Sequence, residues 1–183
     1  NEGAKRAKGA ILTFIDDDVV VTEGWLEAIV NTFKRHHTIG GVSGPSIIRS
    51  SYRSNRDLFK YKVIKRIYNW LFLCGDEDLP GHITKAGAWT TGACNESCLF
   101  DGPVDFLEAC NMAYRADVFN QVGGFDESFK GVGDWSEPDL AFRIRKLGWN
   151  LWFSRGARLY HNPSKAGAFV KRNSDSHNRL KNY

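Results

Sequence analysis

Three consecutive carboxylates, Asp16, Asp17 and Asp18, close the apolar run Ala10-Ile11-Leu12-Thr13-Phe14-Ile15. Like charges this close repel, and a strand end keeps them together mainly when a cation neutralises them. Alone, an acidic triplet is a weak signal, because Asp-rich loops are common at strand ends. A second acidic site strengthens it. In Trp135-Ser136-Glu137-Pro138-Asp139-Leu140-Ala141-Phe142-Arg143, two carboxylates stand at the head of a helical pattern. A cluster suited to a hard cation, together with a separate candidate base, describes an enzyme acting on a phosphorylated substrate.

The flanking pattern says what must position these groups. Residues 4–8 look like a helix tail stopped by Gly9, and 10–15 form a buried strand that delivers the triplet. Thr22 offers an N-cap for a helix over about residues 23–36, with Leu26, Ile29, Val30 and Phe33 at helical spacing. Gly40 and Gly41 then break the chain before a strand over 41–48. Strand, helix, strand is the order of an α/β domain with a partly parallel sheet. Later come a strand at 104–107, a short helix over 116–122 stopped by Gly123-Gly124, and strands at 150–153 and 158–160. The stretch 74–103 shows little regular pattern, and long loops of that kind are usually functional or mobile.

The second acidic site reads as a helix start. Ser136 with Asp139 three residues on resembles a capping box. Pro138 is tolerated in a first helical turn. Leu140, Ile144 and Leu147 make an apolar stripe, and Gly148 ends it. Glu137 then sits at the positive end of the helix dipole, which favours its charged form, as a base requires. The competing reading is that both acids only cap the helix.

Composition bounds the rest. The 183 residues are 42% hydrophobic, 25% charged and 13% aromatic, enough for one domain with a core and unlike a disordered chain. The formal charge of +4 is modest, and no Arg-rich tract points to nucleic acid. Cys74, Cys94, Cys98 and Cys110 give one CxxxC and no matching pair, which argues against zinc and for free thiols in a reducing compartment. No run reaches membrane-spanning length. Residues 57–73 carry Leu58, Tyr61, Ile64, Tyr68 and Leu71 on one helical face, with Lys60, Lys62, Lys65 and Arg66 beside it. That is either a packed surface helix or a helix lying in a membrane interface.

In order along the chain, these segments resemble the family 2 glycosyltransferases of the GT-A fold. Asn1-x-Gly3-x-x-x-Ala7-x-Gly9 followed by Ile11 to Asp18 is similar to that family's approach to its DxD motif. Cys110-Asn111-Met112-Ala113-Tyr114-Arg115 and Val122-Gly123-Gly124-Phe125-Asp126-Glu127 are similar to its acceptor-side segment. Glu137-x-Asp139-Leu140-x-x-Arg143 resembles its base-bearing helix, and Tyr160-His161 its late histidine. Where the family most often has Glu-Asp, this chain has Ser136-Glu137, so the carboxylate is one methylene longer.

The resemblance implies a Rossmann-like α/β fold, a mostly parallel sheet flanked by helices, spanning one partial domain over 1–183. Within it, 1–50 would carry the metal part, 51–103 a helix and variable loop, 104–163 the acceptor and catalytic part, and 164–183 a peripheral tail. The first strands of the family's fold are expected to lie before Asn1, which would leave the isolated chain inactive. The implied chemistry is inverting sugar transfer from a nucleotide-diphosphate sugar to an acceptor hydroxyl, carbohydrate or lipid-linked. Asp16, Asp18 and His161 would hold Mn²⁺ or Mg²⁺, Asp16, Asp17 and Asp18 would face the donor, and Glu137 would be the base, with Asp139 and Asp134 behind it. Trp89, Asn111 and Trp135 are expected to meet the acceptor. Asp17 pointing into solvent, His161 as a bonded strand-end residue, and the tryptophans as lids are the plainer alternatives. The expected location is the cytoplasm, with peripheral contact to the inner face of the cell membrane. Two other classes stay open: a metal-dependent nucleotidyltransferase, and a carbohydrate-binding domain without catalysis.

Overall fold

The computed structural model describes residues 1–48, 66–76, 78–92, 97–129 and 135–162. A five-stranded sheet carries the core. It is built from β1 (Ile11–Ile15), β3 (Ile39–Ser43), β7 (Gly102–Val104), β8 (Asn111–Arg115) and β9 (Asn150–Phe153), in the order β1-β8-β3-β9-β7. A three-stranded sheet joins β2 (Val19–Val21), β10 (Leu159–His161) and β4 (Ser46–Ile48), in the order β2-β10-β4. A hairpin of β5 (Pro80–Ile83) and β6 (Trp89–Thr91) stands beside them. The helices are α1 (Glu2–Arg6), α2 (Trp25–Arg35), α3 (Ala116–Gln121) and α4 (Ser136–Lys146), with a π-helical stretch at Asn69–Leu73.

Period-two alternation along β8 divides the core. Met112 and Tyr114 face one side, where they pack with Leu140 and Ile144 of α4 and with Val118 and Phe119 of α3. Ala113 faces the other side, against Trp25, Ile29 and Phe33 of α2. Helices therefore cover both faces of the sheet, as the α/β reading requires. The β3–β9 pairing shifts register between Ile39 and Gly41, and Gly41 lies opposite the buried Tyr114 of β8. A Cβ on Gly41 would lie 2.8 Å from that ring, so only glycine fits there.

The sheet is mixed rather than mostly parallel. β3 pairs with β9 in parallel, but β8 runs antiparallel between β1 and β3, and β7 antiparallel on β9. The expected 41–48 strand is two strands. Ser43 ends β3 in the large sheet, the chain turns at Gly44-Pro45, and β4 joins the small sheet. Two expected caps are used otherwise. The Thr22 hydroxyl donates to the Arg158 carbonyl at 2.8 Å, and α2 starts after Gly24, whose φ is +77°. Its buried stripe is Trp25, Ile29, Thr32 and Phe33, which turns Leu26 out to solvent. The Ser136 hydroxyl bonds its neighbour Glu137 instead of closing a capping box.

Part of the 74–103 stretch is ordered as the β5–β6 hairpin and β7, the latter replacing the strand expected at 104–107. Short strands with Gly, Pro and Thr carry little periodic signal. Only residues 66–73 of the expected 57–73 helix, and none of the tail from Ser164, fall within the described residues.

Candidate functional site

One corner of the site is set by the small sheet. β1 ends at Ile15, Asp16–Asp18 form the turn, and β2 follows at once. In the β2–β10 ladder His161 stands opposite Val19, and the Asn162 N–H donates to the Asp18 carbonyl at 2.9 Å. Backbone pairing thus brings His161 onto the acidic turn. Its Nε2 lies 3.1 Å from Asp18 Oδ1 and 3.9 Å from Asp16 Oδ2. The three ligand atoms all fall within 4.8 Å of one another. Two carboxylate oxygens and one imidazole nitrogen make a donor set that suits Mn²⁺ or Mg²⁺, and the imidazole favours Mn²⁺. Asp17 is exposed and is not one of the clustered three.

Asn111 braces this corner from beneath. It pairs with Ile15 across the β1–β8 ladder and is 1% exposed. Its Nδ2 donates to the carbonyls of Gly44 at 3.0 Å and Ala157 at 2.8 Å. Its Oδ1 accepts from the Trp25 indole N–H at 3.0 Å. An amide with both ends bonded inside the protein has nothing to offer an acceptor, so the role expected for Asn111 is corrected to that of an internal strut.

The other corner is the start of α4. Trp135 precedes it with φ +79°, one of two non-glycine residues in the left-handed region among those described. The Asp139 N–H donates to the Trp135 carbonyl at 3.0 Å and opens the helix. Glu137 is half-buried and takes a 3.2 Å hydrogen bond from the Ser136 hydroxyl. Burial chiefly, and the nearby Glu137 charge in addition, push the Tyr114 hydroxyl above its ordinary range. Trp89 on β6 meets Trp135 with ring centroids 4.2 Å apart, so the two expected aromatic contacts form one pair.

Asp139 serves differently from the expected second catalytic acid. Its Oδ2 accepts from both Nε and Nη2 of Arg143, at 2.9 and 2.7 Å. That oxygen is thus committed to a partner on its own helix. Asp134 lies outside the described residues. A cleft of about 450 Å³ joins the two corners, lined by Thr13, Phe14, Ile15, Asp16, Ala109, Met112, Phe125, Ser136 and Glu137. Asp16 and Glu137 therefore open onto one space.

This arrangement has relatives. Residues 1–83 match the family model described as glycosyl transferase family 2. A solved mannosyltransferase, PcManGT from Pyrobaculum calidifontis in complex with GDP-Man and Mn²⁺, superposes with a TM-score of 0.54. It is 17% identical, over 99% of this chain and 40% of its own. The crystal structure of GalNAc-T7 with UDP, GalNAc and Mn²⁺ gives a TM-score of 0.53 at 16% identity, over 87% of this chain and 29% of its own. The fold is that of the GT-A glycosyltransferases. In sequence, the chain is 22% identical over 165 residues to the glucosyl-dolichyl phosphate glucuronosyltransferase of Haloferax volcanii. That match covers 87% of this chain and 45% of the relative, so the chain spans less than half the length of the curated relative it matches.

Sequence reasoning missed two groups that shape the site. Asn1 brackets Phe125, accepting from its N–H at 2.9 Å and donating to its carbonyl at 2.8 Å. Arg143 binds the same loop from the opposite side. Neither residue type announces a distant backbone partner; the glycine pair beside Phe125 was the available signal.

Proposed function

We propose that the protein is a metal-dependent inverting glycosyltransferase that moves a sugar from a nucleotide-diphosphate sugar to an acceptor hydroxyl. The observation that carries this reading is the single cleft shared by Asp16 of the acidic corner and Glu137 of α4. The family match over residues 1–83 and the fold support it.

Asp16, Asp18 and His161 would hold Mn²⁺ or Mg²⁺, which when bound supplies positive charge against the leaving diphosphate. Glu137 accepts the proton of the acceptor hydroxyl as that oxygen attacks the anomeric carbon. Approach from the face opposite the leaving group inverts the configuration there. Phe14, Phe125 and Met112 line the cleft with apolar surface and help exclude competing water. The Trp89–Trp135 pair, in which Trp135 stands two residues before Glu137, is the surface on which an acceptor sugar would stack.

A lipid-linked acceptor is the class we favour. The Haloferax relative is named for a dolichyl phosphate substrate. Ile67, Trp70, Leu71 and Phe72 are exposed, Trp70 by 74%, which suits contact with a bilayer surface. No helix among the described residues is long and apolar enough to cross a membrane.

The test is transfer from a panel of nucleotide sugars to polyprenyl-phosphate and free-glycan acceptors, with and without Mn²⁺. Metal-dependent transfer with inverted anomeric configuration is expected. Retention of configuration, or nucleotidyl transfer in its place, would overturn the reading.

A further inference from the structure

We infer that Arg143 is a positioning residue that fixes the far wall of the cleft against Glu137, with Asp139 as its counter-ion. The inference rests on the glycosyl-transfer reading only for its kinetic arm.

The geometry is a four-bond clamp. Nε and Nη2 of Arg143 hold Asp139 one turn back along α4. Nη1 donates to two carbonyls of the loop that follows α3, those of Val122 and Gly124, each at 2.8 Å. A guanidinium presents its donors as a rigid fork, so all four bonds form at once. Lysine, a point charge on a flexible stem, cannot reach the same three partners together.

The loop is shaped to accept this grip. Gly123 and Gly124 have φ of +81° and +74°. A Cβ on Gly124 would lie 2.6 Å from Asn1 Oδ1, so the loop is pressed between α1 and α4. Phe125 comes next, packs edge-on against Phe14 at 5.5 Å, and lines the cleft. Glu137 lies two residues before Asp139 on the helix that bears the clamp. The guanidinium thus ties the loop that carries this apolar wall to the helix that bears the base. The cation corner hangs on β1, β2 and β10, and it shares none of these bonds.

The experiment compares Arg143→Lys, Asp139→Asn and the double variant in the intact protein. Arg143→Lys is expected to lower kcat about 10- to 100-fold, the scale of an ångström's misplacement in a reacting pair. Affinity for nucleoside diphosphate with Mn²⁺, by calorimetry, should stay within a factor of about two. The double variant should be no slower than Arg143→Lys alone, because both changes release one clamp. Hydrogen exchange over 122–127 should quicken in Arg143→Lys while that of 11–18 stays as in the parent. Asp139→Asn weakens the clamp more gently and serves if Arg143→Lys does not fold. Additive losses in the double variant, unchanged exchange over 122–127, or a parallel fall in nucleotide affinity would each overturn the proposal. If the parent transfers no sugar, the functional reading fails, and the exchange arm still judges the clamp.

Discussion

His161 reaches Asp18 because β10 pairs along its length with β2 and β4, whereas Glu137 reaches the same cleft from a helix that begins without a side-chain cap and is held at its flank by one guanidinium. At the first corner, backbone ladders place the side chains. At the second, side chains place the backbone. Ladder pairing is distributed over many bonds, so substituting one of the clustered ligands there changes chemistry without moving the frame. The clamp concentrates its hold in few groups, so one substitution moves the frame itself. The acidic corner and the helix corner of one cleft can therefore be damaged separately.

The sharpest break of the comparison is Asp18→Asn. It should remove metal-dependent binding of nucleoside diphosphate while leaving the melting temperature nearly unchanged, measured by calorimetry with and without Mn²⁺. Next is Glu137→Gln, which keeps shape and removes basicity. Turnover should fall by about 10²- to 10⁴-fold, with nucleotide affinity retained in the same calorimetric assay.

Asn111→Leu probes the strut under the cation corner. It takes their Asn111 partner from the Ala157 carbonyl and the Trp25 indole N–H, and leaves the Gly44 carbonyl only a long 3.5 Å bond from the Ser46 hydroxyl. Each such group costs about 1–3 kcal/mol, so thermal melting should drop by roughly 10 °C.

Glu108, in the turn before β8, tests the pH dependence of the same sheet. Burial pushes its carboxyl from 4.5 up to about 7. Its folded form binds the proton more tightly than its unfolded form. Its contribution to stability is therefore greatest below about 4.5 and declines as pH rises toward 7. In melts across this range, Glu108→Gln should gain on the parent as pH rises and hold a constant lead above it. The smallest effect belongs to Trp135→Gly. It relieves a left-handed aromatic worth about 1–3 kcal/mol of strain and loses a ring pair worth about 0.5–1.5 kcal/mol. Stability by denaturant titration should change by about 1 kcal/mol or less, while the acceptor KM rises.

The legibility of the two corners differed for the same reason. The acidic corner was readable, because an apolar strand running into Asp16–Asp18 is a local pattern, whereas His161 entered only through the family resemblance, since the β2–β10 pairing that places it has no local signature. The helix with Glu137 was readable from its periodicity. The pairing of Asp139 with Arg143 and the internal bonds of Asn111 were not legible, since a carboxylate that faces a guanidinium and an amide that bonds two carbonyls are indistinguishable in sequence from ones that face a substrate. β2 and β8 went unpredicted. Val19–Val21 is too short to show a period, and Asn111–Arg115 is buried on both faces and lacks alternation in polarity. The antiparallel insertion of β8 between β1 and β3 depends on contacts far apart in the chain, which no local window contains.

The register of β10 has a consequence for how this sequence can vary in length. His161 faces Val19 on one side and Ile48 on the other, and side chains along a strand alternate between faces. Deleting one residue from the turn at 154–158 would draw the next residue into the position of His161 and turn the imidazole away from Asp18. Insertions and deletions of single residues should therefore be excluded between Ser154 and His161, while the tip of the β5–β6 hairpin at Lys85–Gly87, exposed and outside the sheet that places His161, should tolerate them. A length-variant library spanning both turns, selected for Mn²⁺-dependent nucleotide binding, would read out that boundary directly.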